Sequence, residues 1–307
     1  IAVAEDQSPD LFEAQAGVKL MSRSFYYTGT LDNYFDAGVT GVPADYTLPA
    51  SPVISLDLES YPGVLLSEEW LHYVGTILRA DLGFGTTSQF QTAEGDTLKA
   101  RNEYFGIMAG LKGRIPLPWL ELEPSFAWGI DSASLNSIDT AIAAPVPKVS
   151  YSYLRPGLRA RLRVEKVYVE LDAAYRIGLS AGGIEKAQVG VTDPPPHFPN
   201  TKFLGFDASA VVGFALSSRV DLKAGLDIVQ YGLNFNPVEL APQDEIAGGA
   251  TDRYISSWIG VSFHLPYAAA PTPSSVQPAN AQSIDGKSDT PQPSEDEIDE
   301  EFDDFDF

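Results

Sequence analysis

The chain has 307 residues, no cysteine, 44% hydrophobic content and a formal charge of −22. Without cysteine there is no disulfide, no thiolate metal site and no cysteine nucleophile, a composition that fits an exported protein. An acid excess this large argues against a nucleic-acid partner, which needs a basic footprint, and no run of 18 uncharged apolar residues offers a membrane-spanning helix.

Residues 1–10 form an N-terminal segment whose Ala2-Val3-Ala4 has the small-x-small form of a signal-peptide remnant, covering 1–4. Beyond it, strict alternation of apolar and polar side chains, the mark of a strand, predicts ten strands: 11–27, 53–60, 70–85, 102–114, 119–130, 151–164, 167–180, 203–216, 220–231 and 253–265. Long loops follow the odd strands, at 28–52, 86–101, 131–150, 181–202 and 232–252. Short connections follow the even ones: RIPLPW at 114–119, Glu165-Lys166 and Ser217-Ser218-Arg219, with a medium one near YPGVLLSEE. Hairpins with every short turn at one end and every long loop at the other describe an up-and-down antiparallel meander.

Parity sorts the charges. In the segment LRARLRVEKVYVELDAAYRIGL, a two-residue turn at Glu165-Lys166 places Arg163 opposite Tyr168, Arg161 opposite Glu170 and Arg159 opposite Asp172, all on one face. The other face, from Leu158 through Val164 and Val167 to Leu179, carries no charge. The same division recurs in every predicted strand, and only Glu103 and His72, near strand ends, depart from it. Pro124 and Pro156 fall on the apolar face, where a missing amide donor predicts bulges or frayed ladders.

Parity alone does not say which face is outside. A soluble lipocalin-like barrel or sandwich turns the apolar face inward. Three features favour the reverse. The predicted strands mostly run longer than the soluble norm and suffice to cross a bilayer. Aromatic residues on the apolar face gather in two girdles, Tyr26, Phe84, Trp128 and Tyr175 toward the long loops, and Phe12, Trp70 and Phe263 toward the turns. The turn and loop asymmetry is the third. On these residues the chain resembles the bacterial outer-membrane β-barrel family over 11–266. WIGVSFHL is similar to the assembly signal on the last strand of such barrels, carried here by Gly260, Phe263 and Leu265, although Trp258 stands where a polar residue is expected and the segment is internal. The resemblance implies an all-β, transmembrane up-and-down barrel of about ten strands in the outer membrane, contacting its lipid, with both termini on the periplasmic side.

Inside such a barrel Arg155, Arg159, Arg161, Arg163 and Arg176 face a lumen shared with Glu121, Glu123, Glu170 and Asp172. Cross-strand ion pairs that stiffen a mostly closed barrel are one reading; a basic ladder guiding an anionic solute through a narrow pore is the other. The chain shows no nucleophile motif and no metal-ligand spacing, so neither an enzyme nor a cofactor is expected, and His197, four residues from Asp193 in a Pro-rich loop, is the one feature that points toward an omptin-like protease.

Residues 267–307 differ from the rest. They hold eleven Asp and Glu against one Lys, so ten of the 22 net negative charges lie there, and the composition predicts a disordered acidic periplasmic tail. Its end, EFDDFDF, interleaves Phe302, Phe305 and Phe307 with Asp303, Asp304 and Asp306, a pattern suited to docking a basic, grooved protein partner. The functional expectation is an anchor or subunit of an envelope complex for secretion, transport or motility. A narrow porin-like channel is the alternative, and a surface adhesin or protease the third.

Overall fold

The computed structural model describes residues 10–29, 45–66, 68–91, 97–137, 148–186, 198, 201–235 and 247–266. Ten long strands cross the molecule: β1 (Phe12–Thr28), β2 (Tyr46–Ser60), β3 (Val74–Gln91), β4 (Thr97–Gly113), β6 (Glu121–Ser137), β7 (Val149–Val164), β8 (Val167–Ser180), β9 (Lys202–Ala215), β10 (Val220–Asn234) and β11 (Gly249–Leu265). The two-residue strand β5 (Ile115–Pro116) lies in the turn between β4 and β6. Neighbours in sequence pair antiparallel, β4 pairs with β6, and β1 pairs with β11 from Phe12↔Leu265 to Thr28↔Gly249, which closes the sheet into a barrel. Closure leaves no edge of unpaired amides, the condition that a lipid surround imposes.

The hairpin of β7 and β8 has the register that the alternation predicts. Val164 faces Val167, Arg163 faces Tyr168, Arg161 faces Glu170 and Arg159 faces Asp172. Glu165 in its turn adopts φ +54°, the left-handed region that glycine occupies without cost. Pro124 sits where β6 changes partner: the β4 ladder ends at Lys112↔Ser125, and β5 takes over at Ile115↔Leu122. Pro156 produces a gap in the β8 ladder, between Leu154↔Ile177 and Gly157↔Ala174, without a change of register.

The apolar face is the outside. Leu20, Leu56, Leu111, Phe126, Leu171, Leu226, Ile259 and Phe263 are exposed, whereas Arg155, Glu123, Glu170, Asp207, Lys223 and Asp252 are buried. That arrangement is inverted relative to a water-soluble barrel. It defines a transmembrane barrel of the outer-membrane type, with hydrocarbon as the solvent of its exterior.

Two sequence expectations are corrected. Several strands extend further toward the loops than alternation shows: β2 begins at Tyr46 rather than 53, β3 runs to Gln91 and β6 to Ser137. In the β2 extension the exposed side chains are Thr47, Pro49 and Ala50, so an apolar–polar period has little to register. Outward charges stand at the loop ends of β4 and β11, with Arg101 and Glu103 paired at 3.4 Å and Arg253 donating to Gln230 at 2.9 Å, so Glu103 has company in departing from parity. At the opposite end, residues 70–73 are not strand. They belong to a 3-10 helix, Glu69–Tyr73, that follows another at Pro62–Leu65, and this places both His72 and Trp70 outside the sheet.

Candidate functional site

The inward side chains form three zones from the turn end to the loop end. At the turn end a vestibule of about 510 Å³ opens between the β4–β6 and β7–β8 connections. Leu117, Pro118 and Trp119 line it, with Arg161, Arg163, Glu13 and Glu59 among its charged walls.

The middle zone is ionic. Arg159 on β7 reaches across the lumen to Glu59 on β2 at 2.7 Å, although the way round the sheet runs through β3, β4 and β6. It also touches Glu123 at 3.2 Å and Asp172 at 3.7 Å. Lys112 joins Glu59 and stands 3.1 Å from Glu123. Arg161 bonds Glu170 at 2.7 Å, with Glu121 at 3.6 Å and Glu13, on the far wall, at 3.9 Å. Lys223 holds Glu13 at 2.7 Å, and Lys19 lies between Asp81 and Asp227 at 3.2 and 3.4 Å. Higher up, Arg155 binds Asp207 and Asp172, and Arg176 binds Asp131 and, at 2.6 Å, Asp207. Neutralisation in place is what lets so many charges be buried, since an unpaired ion out of water costs several kcal/mol. The cavities left between them measure about 40 and 60 Å³, room for a few waters each.

At the loop end the lumen turns aromatic. Phe25, Tyr46, Tyr151, Tyr153, Phe203, Tyr231 and Tyr254 converge from β1, β2, β7, β9, β10 and β11, and Ile184, Phe198 and Phe235 from the bases of the loops cover them. Tyr151 stacks on Tyr231 at 4.0 Å between centroids, and Phe198 on Phe235 at 4.2 Å. One ion pair is enclosed in this plug: Asp252 accepts from Arg23 at 2.9 Å through both oxygens, and from the Tyr151 and Tyr254 hydroxyls at 2.9 Å. Two chain features let the rings cross. The inward face places glycine beneath them, so a Cβ on Gly129 would lie 2.7 Å from the Tyr153 ring and one on Gly205 2.8 Å from the Tyr231 ring. The rings also carry hydroxyls that end on buried carboxylates, as Tyr231 does on Asp131 at 2.6 Å.

Of the residues singled out in the sequence, Arg155, Arg159, Arg161, Arg176, Glu121, Glu123, Glu170 and Asp172 meet in the ionic zone. Arg163 does not join them. It is exposed at the vestibule rim, 5.3 Å from the Tyr168 ring, and among the described residues it forms no ion pair. On β11 Gly260 faces inward while Phe263 and Leu265 are exposed outward. Trp258, in place of the expected polar residue, behaves as one: its indole N–H donates to Asp227 at 3.1 Å inside the lumen. Phe302, Phe305, Phe307 and the acids between them lie outside the described residues, as do His197 and Asp193. The described histidines, His72 and His264, both lie at the turn end; His264 stands between Asp10 at 2.8 Å and Asp221 at 3.1 Å. Sequence reasoning missed the aromatic plug, because it sorted inward positions by charge alone. The signal was present: toward the loops the inward parity of β1, β7, β9, β10 and β11 carries Phe25, Tyr151, Tyr153, Phe203, Tyr231 and Tyr254 instead of ions.

The architecture therefore defines the chain as an outer-membrane type of β-barrel. No family model matches it, and no curated protein matches it. Among solved structures it is similar to the outer-membrane protease OmpT of Escherichia coli, at 10% identity over 84% of this chain and 97% of that one, with a TM-score of 0.43. The translocator domain of the autotransporter NalP of Neisseria meningitidis matches at 13% identity over 84% and 90%, with a TM-score of 0.38. Ail, the attachment invasion locus protein of Yersinia pestis, matches at 9% identity over 82% and 97%, with a TM-score of 0.31. Scores this low carry nothing about chemistry, and the barrel assignment rests on the closed ladder and the apolar exterior.

Proposed function

We propose that the barrel is a structural anchor or subunit of an outer-membrane envelope complex, with its turn end and both termini toward the periplasm and its acidic, aromatic tail docking a protein partner. The observation that carries this reading is the occupied lumen. Transverse ion pairs brace the middle and an aromatic plug fills the loop half, so the surfaces and the tail are left to do the work. A lumen braced this way is rigid, which suits a fixed point in a membrane.

Two measurements test the reading. Purified protein in planar bilayers is expected to give no steady current, and a stable ohmic current overturns the closed lumen. Removal of 294–307 is expected to abolish partner recovery after cross-linking in intact envelopes, and unchanged recovery removes the tail from the account.

The vestibule favours a second reading, a narrow channel for small solutes. Its volume suits a small molecule, and Glu13 and Glu59 line both it and the first inner cavity. A solute-dependent current would support that reading.

A further inference from the structure

The connection between β2 and β3 is more than a turn. Tyr61 is buried, its hydroxyl donating to Glu123 at 3.3 Å and its ring lying 5.2 Å from the Lys112 ammonium, so the segment is pinned to the lumen floor. The two 3-10 helices then pack backbone to backbone, because a Cβ on Gly63 would fall 1.9 Å from the Leu71 carbonyl oxygen. Hydrogen bonds fix the rest: Leu66 N–H to Gly63 at 2.9 Å, Leu71 N–H to Glu68 at 3.1 Å, and Arg114 N–H to Tyr73 at 2.8 Å. Val64 is buried beneath.

What this insert shows to the outside is largely apolar, with the exposed Glu68 among the apolar side chains. Leu65 is 62% exposed, Leu66 53% and Trp70 66%, with Tyr73 beside them. Among the described residues no strand covers these side chains. They continue the exposed apolar exterior of the two strands they join, from Leu58 on β2 to Val74 and Leu78 on β3. At the turn end the neighbouring β4–β6 connection also exposes Ile115, Leu117 and Trp119, whereas the tips Glu165-Lys166 and Ser217-Ser218-Arg219 are polar.

We infer that residues 62–66 and 68–73 form an in-plane foot that lies in the phospholipid interface of the turn-side leaflet and, with the adjacent β4–β6 connection, grips it on one side of the barrel. This rests on the membrane reading above. The continuity with the lipid-facing exterior selects the occupant, and the chemistry agrees with it. Leucines reach the acyl boundary, while tryptophan and tyrosine place an apolar ring and a polar edge at headgroup depth. The fold also removes the ordering cost that an interfacial peptide normally bears, since the insert is already held by its own hydrogen bonds. A foot on one side resists rotation and tilt of the barrel in a way that a uniform aromatic ring does not.

The absence of native cysteine makes the test direct. Single spin labels at Leu65→Cys and Leu66→Cys, with Leu78→Cys as a lipid-facing control and Ser218→Cys as an aqueous one, are introduced into the full chain and reconstituted in vesicles of phosphatidylethanolamine and phosphatidylglycerol. Collision with oxygen and with a water-soluble nickel chelate is then compared. The foot predicts that positions 65 and 66 are oxygen-accessible and shielded from nickel, as position 78 is, while position 218 shows the reverse. Nickel access at 65 and 66 matching that at 218, with 78 still shielded, overturns the foot and leaves the barrel intact. Shielding of 65 and 66 from both reagents also overturns it, since a protein must then cover them. Nickel access at 78 itself removes the membrane reading on which the foot stands.

Discussion

The two halves of the lumen are filled by different chemistry. Toward the turns, Arg159 and Arg161 meet carboxylates from the opposite wall, Lys112 and Lys223 pair with carboxylates of nearby strands, and an open vestibule admits water to their edge. Toward the loops, Tyr151, Tyr231, Phe203 and Phe25 exclude water, and the Arg23–Asp252 pair they enclose is held from every side by hydroxyls and rings. Ion pairs brace a barrel at long reach but leave gaps the size of water, whereas rings seal it and need glycine or a carboxylate wherever they cross the wall. One half therefore sets rigidity and the other sets closure.

Breaking the ionic half gives the largest expected effect. Arg176→Met leaves Asp131 and Asp207 short of a cation, and the barrel is expected to lose about 3–5 kcal/mol of stability in urea titrations in lipid vesicles. Glu59→Gln or Arg159→Gln alone should cost a similar amount, but the double variant less than either, because a buried pair removed together leaves fewer uncompensated charges. A double-mutant cycle by the same titration decides this, and additive losses contradict the strut. In the sealed half, Tyr231→Phe keeps the ring and loses the hydroxyl that serves Asp131, with an expected loss of about 1–3 kcal/mol and no current. Tyr151→Ala combined with Tyr231→Ala should instead open the seal and produce flickering conductance, which the Glu59→Gln, Arg159→Gln pair does not. The smallest effect lies in the turn. Glu165→Gly removes a left-handed non-glycine residue and should stabilise the β7–β8 hairpin by up to about 1 kcal/mol.

Much of this was legible in the sequence, for a definite reason. A period of two fixes which residues share a face, so the charge parity of β7 and β8 specified their register down to Arg161 opposite Glu170. Ten strands and the pairing of first with last followed from the same pattern. Parity could not reach across the lumen, however. That Arg159 would meet Glu59, and Tyr151 meet Asp252, depends on how the closed sheet brings distant strands together, which no local pattern encodes. The loop-side strand ends and the folded insert at 62–66 and 68–73 escaped for a related reason, since neither alternates an apolar outward residue with a polar inward one. The exposed position of Arg163 shows the limit in a single residue: it shares parity with Arg161 but stands one step past the last facing carboxylate.

The claim beneath all of this is the inverted arrangement of faces, and photolabelling tests it most directly. A diazirine placed in the acyl chain of a phospholipid, activated on the reconstituted barrel and mapped by mass spectrometry, should mark Leu20, Leu171, Leu226 and Ile259 and leave Arg159, Asp207 and Tyr231 unmarked. Label on those inward residues, or outward leucines left bare on a protein that stays dispersed in plain buffer, would contradict it.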